Sequence, residues 1–360
     1  MGKKSEFDKM KILYGFLGLA LFFSLSGCDQ KNYSGLNVTG KIGEILVVCD
    51  DVIWNSPLKA ELDTALTQFI LPYWPDVATF ELIHRSPRNF DGAIKRHRNV
   101  LFLTIDNTFN DTKSRIESRR NVWANRQLVI EITARDLEQL YETCKDGLPE
   151  VHQGFDRAEW NRIRKYFGEK QSTYVNEKLS KNFGIHIDLP DGSNIVTTQP
   201  NFYTIQLPNA SRPIEFVGTG QQDVGAIYSG VMVYQYPFQD STEFTLSNLL
   251  QARDTMLKYN VPHETSRLYM GTQYTDFVFP ELSESTNFDG SISGVEMRGM
   301  FVFKGKSIHT TGGAFWAFHF VHPRSKKLIC ISGYVDAPAT TSWTHSLREI
   351  EAIWKSVTIQ

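Results

Sequence analysis

The sequence predicts an α/β N-terminal domain followed by an α+β domain with an antiparallel sheet, the two joined by long helices. Three observations carry this. Glu44-Ile-Leu-Val-Val-Cys49 is a continuous apolar run of the kind found in strands buried on both faces, and strand-like and helix-like segments alternate from there to residue 147. Residues 148–182 combine many charges with an irregular apolar face (Phe155, Trp160, Ile163, Phe167, Leu179), as in connecting helices. From Phe183 onward the texture changes to short strand-like runs separated by turn residues.

The elements follow in order. After the first strand, Asn55-Ser56-Pro57 supplies a capping side chain and a proline suited to a first helical position. Leu58, Leu62, Ala65, Leu66 and Phe69 then recur at helical spacing. Val77 to His84 alternates as a strand, and Ser86-Pro87 starts a helix expected to reach about Arg96. Asn99 to Ile105 and Leu128 to Thr133 are strands, with the Arg- and Ser-rich stretch between them expected to be helical. A helix is expected from Arg135 to about Asp146, and one or two more over 148–182. In the last part, Gly184 to Leu189 alternates and Pro190-Asp191-Gly192 turns the chain. Strands are expected at 202–207, 225–236, 292–303, 313–322 and 326–335, and helices at 243–259 and 342–356. The expected divisions are 1–27, 28–41, 42–147, 148–182 and 183–360.

The first two divisions are expected to be a signal peptide and a tether. Lys3, Lys4, Lys9 and Lys11 outnumber Glu6 and Asp8, and Ile12 to Leu25 is almost wholly apolar. That run is shorter than the ~20 residues a bilayer-spanning helix needs. It ends in small residues and a cysteine, Leu25-Ser26-Gly27-Cys28. A basic start, a short apolar core and a small-residue cleavage site describe an export signal, and this ending resembles the lipobox of bacterial lipoproteins. The resemblance implies cleavage before Cys28 and acyl chains on its thiol and new amino terminus, which anchor the chain to a membrane. Asp29 to Lys41 is polar, as a tether would be.

Composition bounds the rest. Hydrophobic residues at 41% and aromatics at 12% describe a well-packed body. The net charge of −2 becomes −4 once the four lysines and two acids ahead of Cys28 are removed, so nothing calls for nucleic acid as a partner. Three cysteines remain, Cys49, Cys144 and Cys330, which permit at most one disulfide; Cys49 with Cys330 is compatible with the sequence.

Several segments in order, IGEILVVCDDVIWNSP, HRNVLFLTI, NVWANRQLVIEI, LSKNFGIHIDLPDG, VMVYQYPF, VEMRGMFVF and LREIEAIW, resemble a family of Bacteroidetes envelope lipoproteins catalogued only as a domain of unknown function. The likeness runs through nearly the whole chain after Cys28. It implies an envelope location, leaning to the outer membrane, and supplies no mechanism.

The nucleophile, phosphate and zinc-protease motifs GxSxG, GxxxxGK[ST], GxGxxG and HExxH are missing, and the reading leans against catalysis, with no cofactor expected. Four groups remain as candidates. Asp50 and Asp51 follow the first strand, where α/β sheets open toward ligands. Two acids there suit Mg²⁺, Ca²⁺ or acid/base work, with Trp54 as a pocket wall; equally, they cap the following turn. His309, His319 and His322 share one hairpin region, as a zinc-binding histidine triplet would, but positions three apart on a strand face opposite ways unless a bulge intervenes. Residues 84–126 carry a local excess of +6, including Arg96, Arg98, Arg119 and Arg120, which is either a patch for anionic lipid, glycan or protein or a set of solvated faces. Thr310-Thr311-Gly312-Gly313 leads into Phe315, Trp316 and Phe318, either a Gly-rich loop open to a ligand backbone or, as favoured, a tight turn leading into core. The function expected is therefore a lipid-anchored envelope protein that binds a protein partner or assists assembly. The alternatives are a hydrolase or transferase on envelope glycan or lipid using Asp50 and Asp51, and a solute-binding lipoprotein with an interdomain cleft lined by Trp54 or Trp123.

Overall fold

The computed structural model describes residues 36–108, 114–169, 171–208, 210–215, 222–261, 268–274, 278–304, 312–337 and 342–360. The expected signal peptide, most of the tether with Cys28, and Lys113, His309, Thr310 and Thr311 lie outside the described residues.

The first sheet is built from β1 (Glu44–Val48), β2 (Glu81–Arg85), β3 (Asn99–Ile105), β4 (Arg115–Arg120) and β5 (Leu128–Ala134) in the order β2-β1-β3-β5-β4. All pairings are parallel except β4 with β5. The chain steps outward from β1 to β2 and then returns to the other side, so the strand order reverses between β1 and β3. On one face, α1 (Leu58–Leu66) and the first half of α2 (Leu137–Glu169) pack Leu58, Leu62, Leu66, Leu140, Cys144, Leu148, Val151 and Phe155 against Ile45, Val47, Leu101, Ile130 and Ile132. On the other, Leu46, Val48, Val100 and Val129 are covered by Phe90, Ile94, Val122 and Trp123.

Three expectations are corrected here. The segment after Ser86 forms two 3₁₀ turns, Pro87–Asn89 and Gly92–Arg96, instead of a helix. It carries too few apolar residues for a helical stripe, and extended Asp91 followed by Gly92 at φ +52° breaks the path. The Arg- and Ser-rich stretch is the edge strand β4, exposed along its whole length. Pairing with β5, not local propensity, decides its conformation, and its arginines keep the edge from recruiting another strand. The expected break near 146 is absent. α2 continues unbroken through Pro149 for 33 residues because Leu148 and Val151 stay clamped in the core on either side.

α2 also joins the two layers. Its early apolar residues belong to the first core, whereas Ile163 and Phe167 belong to the core of the second sheet, together with Val175, Leu179 and Phe183 of α3 (Thr173–Phe183). The chain then forms β6 (Ile185–His186), β7 (Asn194–Gln199), β8 (Phe202–Gln206), β9 (Ala210–Glu215), β10 (Gln222–Pro237), α4 (Leu246–Asn260), β11 (Tyr269–Thr272), β12 (Glu281–Thr286), β13 (Ser293–Lys304), β14 (Gly312–Val321), β15 (Lys327–Asp336), α5 (Thr344–Lys355) and β16 (Thr358–Ile359). The alternation in 184–189 is real in burial, since Ile185, Ile187 and Leu189 are all sealed, but only β6 is paired, with β16.

The second sheet has the order β11-β13-β14-β15-β10-β8-β7, with β12 added on β13 and β9 on β10, and is antiparallel throughout. α5 covers one face through Leu347, Ile350, Ile353 and Trp354. α4 covers the other through Leu249, Leu250 and Leu257. The fold is thus an α/β layer and an antiparallel α+β layer joined by long helices. The two sheets are stitched by Thr344 Oγ1 donating to the Ala78 carbonyl (2.8 Å), Tyr73 OH to the Phe315 carbonyl (3.0 Å) and Arg348 to Asp156 (2.8 Å).

Cys49, Cys144 and Cys330 are all free and buried. Cys49 lies in the first core and Cys330 beneath α4, so the Cys49–Cys330 bridge that the sequence allows is not formed.

Candidate functional site

The Asp50–Asp51 corner sits at the carboxyl end of β1. The Asp50 carbonyl accepts from the Ile53 and Trp54 amides (2.9 and 3.1 Å), closing the single helical turn Asp51–Trp54, while its side chain makes no capping bond. The Asp51 side chain is 77% exposed and stands 3.9 Å from His84 Nε2, which in turn lies 3.0 Å from the Cys49 carbonyl. Trp54 stacks on His84 (4.6 Å between centroids, 7° between planes), and Lys59 Nζ lies 4.8 Å from the Trp54 ring centroid. Asp106, at the end of β3, is committed to Thr108. Among the described residues, no three His, Cys, Asp or Glu side chains converge on a common point. The corner thus offers a solvated carboxylate beside an imidazole, without the additional oxygen ligands a hard cation needs.

The basic block is dispersed by the fold. Arg98 is drawn inward to Glu159 (2.8 Å), which also accepts from Asn99 (2.7 Å) and pairs with Arg162 (3.1 Å). Burial alone would raise the Glu159 carboxyl, but Arg162 and Arg98 hold it below its usual range. Arg126 pairs with Glu169 (2.9 Å) and Arg115 with Glu117 (3.5 Å). Arg96 is half-buried in its 3₁₀ turn, its carbonyl bonded to Thr39. Arg119 and Arg120 are consecutive on β4 and so face opposite sides.

Arg119 alone of the four reaches an aromatic hollow. Phe90, Phe102 and Trp123 meet edge-to-face or tilted (5.0, 5.2 and 6.3 Å between centroids), flanked by Lys95 and by Arg119 paired to Glu131 at 2.7 Å. Trp54 and Trp123 pack on opposite faces of the first sheet, so the two do not line one cleft together.

His319 and His322 do not converge. His319 is fully buried under α4, and its pKa is lowered to about 3 by burial first and by Arg253 second. His322 is a turn residue whose Nδ1 accepts from the Arg324 and Ser325 amides (3.2 and 3.1 Å). Gly312 and Gly313 begin β14, where a Cβ on Gly313 would lie 2.0 Å from the Val335 carbonyl; close strand approach, not a turn, requires glycine there. Trp316 and Phe318 are core, as alternation predicts.

Sequence reasoning missed the larger hollow. The loop after α1 is fixed by the Ile70 amide bonding to the Val77 carbonyl (2.8 Å) and by the Tyr73 hydroxyl on the second sheet. This turns Leu71 and Trp74 outward beside Phe279, all more than half exposed. Together with Pro72, Tyr73, Asp76 and Glu281 they line a depression of about 660 Å³ at the junction of the sheets, with acids and no base among the described residues of its wall. The signal was present as Leu71-Pro72-Tyr73-Trp74-Pro75, apolar and aromatic but without any period.

Two family models match the chain, each described as a domain of unknown function: one (DUF8532) over residues 38–168 and the other (DUF4837) over residues 172–356. No curated protein matches. Among solved structures, the Saccharomyces cerevisiae Ran-binding protein Mog1p aligns at 10% identity over 49% of this chain and 90% of that one, with a TM-score of 0.28. A mutant of protein Mog1 aligns at 11% identity over 47% and 96%, with a TM-score of 0.23. Superpositions this loose carry no argument about function.

Proposed function

We propose, from the premise that this chain belongs to the family described as a domain of unknown function (DUF4837), that it is a lipid-anchored envelope protein that binds a protein partner and performs no chemistry on it. The observation that carries the binding role is the hollow of Leu71, Trp74 and Phe279. Large apolar side chains grouped on a surface mark interaction sites, and rigid aromatics are the usual anchors of such interfaces. The acids Asp76 and Glu281 on its wall favour a protein segment whose apolar anchor is flanked by Lys or Arg, and disfavour an anionic lipid surface.

The anchor is the acylated Cys28 of the Leu25-Ser26-Gly27-Cys28 sequence, leaning to the outer membrane. Among the described residues no helix is long and apolar enough to cross a membrane. A tether of about a dozen residues keeps the hollow close to the bilayer and raises its effective concentration for membrane-associated partners. Two experiments test the reading. Metabolic labelling with an alkyne fatty acid should mark the wild-type chain and not Cys28→Ser. Phe279→Glu should abolish co-purification of the partner while leaving thermal unfolding unchanged; retention of the partner would remove the hollow from the account.

A second reading, solute binding, is favoured by the Trp123 hollow, where Lys95 and Arg119 beside three aromatic rings suit a ring-bearing anionic solute.

A further inference from the structure

The strongest unexplained feature lies beneath α4. The inward stripe of that helix is Leu249, Leu250, Arg253 and Leu257, so an arginine occupies the position where a leucine would complete the packing. Arg253 is fully buried, and none of its three guanidinium nitrogens has a hydrogen-bond partner. The ring of Phe315 lies 3.8 Å from the guanidinium carbon. Stacking on a ring offsets part of the lost hydration but satisfies no N–H group.

The sheet face opposite is polar in the same place. Tyr234 on β10, Cys330 on β15 and His319 on β14 are directly opposed across three adjacent strands and therefore share one face. Ser332 Oγ one step along β15 and the neighbouring Tyr236 hydroxyl are buried without partners, while the Tyr234 hydroxyl has only the Cys330 thiol beside it and His319 only the Val295 backbone, both short of full hydrogen-bond geometry. The nearest carboxylate does not serve them: Asp254 spends its oxygens on the Thr272 amide and hydroxyl (2.8 and 2.7 Å), Tyr274 (3.2 Å) and Lys304 (3.4 Å). Among the described residues the layer thus gathers a cation and several neutral donors, with no carboxylate bonded to the guanidinium. Buried unsatisfied polar groups are few in native proteins, and so many in one layer need a cause.

We propose that the layer between α4 and the second sheet is a binding site for a small anion, carboxylate or phosphate in class, held by Arg253 with the Tyr234 hydroxyl and the His319 N–H. A planar guanidinium matches either oxyanion with two parallel hydrogen bonds. His319 stays neutral across the physiological range, so it supplies one N–H and no competing charge. The guanidinium is closed to solvent, so the anion exchanges only when α4 lifts from the sheet. The inference is independent of the protein-docking hollow, which involves other residues.

The test is thermal unfolding of the full-length chain in detergent, followed by tryptophan fluorescence, with sodium acetate, succinate or phosphate titrated against sodium chloride at equal ionic strength. At least one oxyanion should raise the wild-type Tm saturably by several degrees, and the acetate, succinate and phosphate arms identify the class. Arg253→Met should show no such shift and should melt at or above the wild type in chloride, because an apolar chain of similar length removes an unpaired buried charge. Should Arg253→Met not fold, Arg253→Lys keeps the charge, loses the paired geometry and should weaken the response at least tenfold. The proposal is overturned if no oxyanion acts beyond chloride, or if the shift survives in the Arg253 variants.

Discussion

Replacing Glu159 with alanine leaves two buried guanidiniums without their counter-charge. The carboxylate is fully buried and serves three groups: Arg98 at 2.8 Å, Asn99 at 2.7 Å and Arg162 at 3.1 Å. The Arg98 and Arg162 side chains are only 11% and 6% exposed, so neither can recover its hydration when the partner goes. Breaking a buried pair from one side costs ~3–5 kcal/mol. Arg162 retains the Arg126 carbonyl (2.7 Å) and Asn99 Oδ1 (2.5 Å), which places the expected loss near the lower end, about 3 kcal/mol. Glu159→Gln keeps an acceptor oxygen and should lose about half as much. Because the folded carboxyl lies below its usual range, its contribution is present above the unfolded pKa and fades as pH falls through the folded one. The acid limb of the stability profile should therefore be shallower in Glu159→Gln. Urea unfolding followed by fluorescence and circular dichroism measures both; a loss under about 1 kcal/mol for the alanine variant would refute the view that this network holds α2 to the first sheet.

Three further outcomes follow from the same physics. Burial raises Glu351 to about 7 despite Lys355 and Arg348, with Asp156 also raising it and the Trp160 indole donating to it (3.0 Å). Its neutral form therefore stabilises the fold at low pH and that contribution is lost as pH rises toward 7; Glu351→Gln should gain on the wild type by ~2–3 kcal/mol between pH 5 and 8, read by urea titration at both. Gly313→Ala would push a Cβ to 2.0 Å from the Val335 carbonyl and should cost ~2–3 kcal/mol, whereas Gly168→Ala, with nothing within 4 Å on α2, should gain ~0.5–1 kcal/mol, and a pair of thermal melts compares them. Burial pushes the thiols of Cys49, Cys144 and Cys330 to about 12, so a thiol reagent should label them only on unfolding, and rapid labelling of the native chain would contradict the packing described.

The legible parts of the fold were those whose signal is local. β1, β3 and β5 read as apolar runs because both faces of the first sheet are covered, and β10, β13, β14 and β15 read as long alternating or apolar segments because α4 and α5 cover both faces of the second. β4 was not legible: its exposed residues RIESRR carry no burial pattern, and only pairing with β5 makes them a strand. The Glu159 network was equally hidden, because residues 98, 99, 159 and 162 are joined by the fold and not by spacing. Of the candidate residues, the fold brings Arg119 to Trp123 and Trp54 to Asp51 through His84, while Arg98 is taken by the interior. Arg253 did leave a trace in the sequence, as a charge set inside the apolar stripe of a helix.

The most direct test of the proposed role is photo-crosslinking in living cells from an unnatural residue at position 279, compared with one at the exposed Tyr259 on α4. One envelope protein should be joined at near-stoichiometric yield from position 279 alone, through a segment whose apolar residue is flanked by Lys or Arg. Equal yields from both positions, or adducts only with lipid, would contradict a protein-docking role for the hollow and leave the Trp123 pocket as the place where this protein meets its ligand.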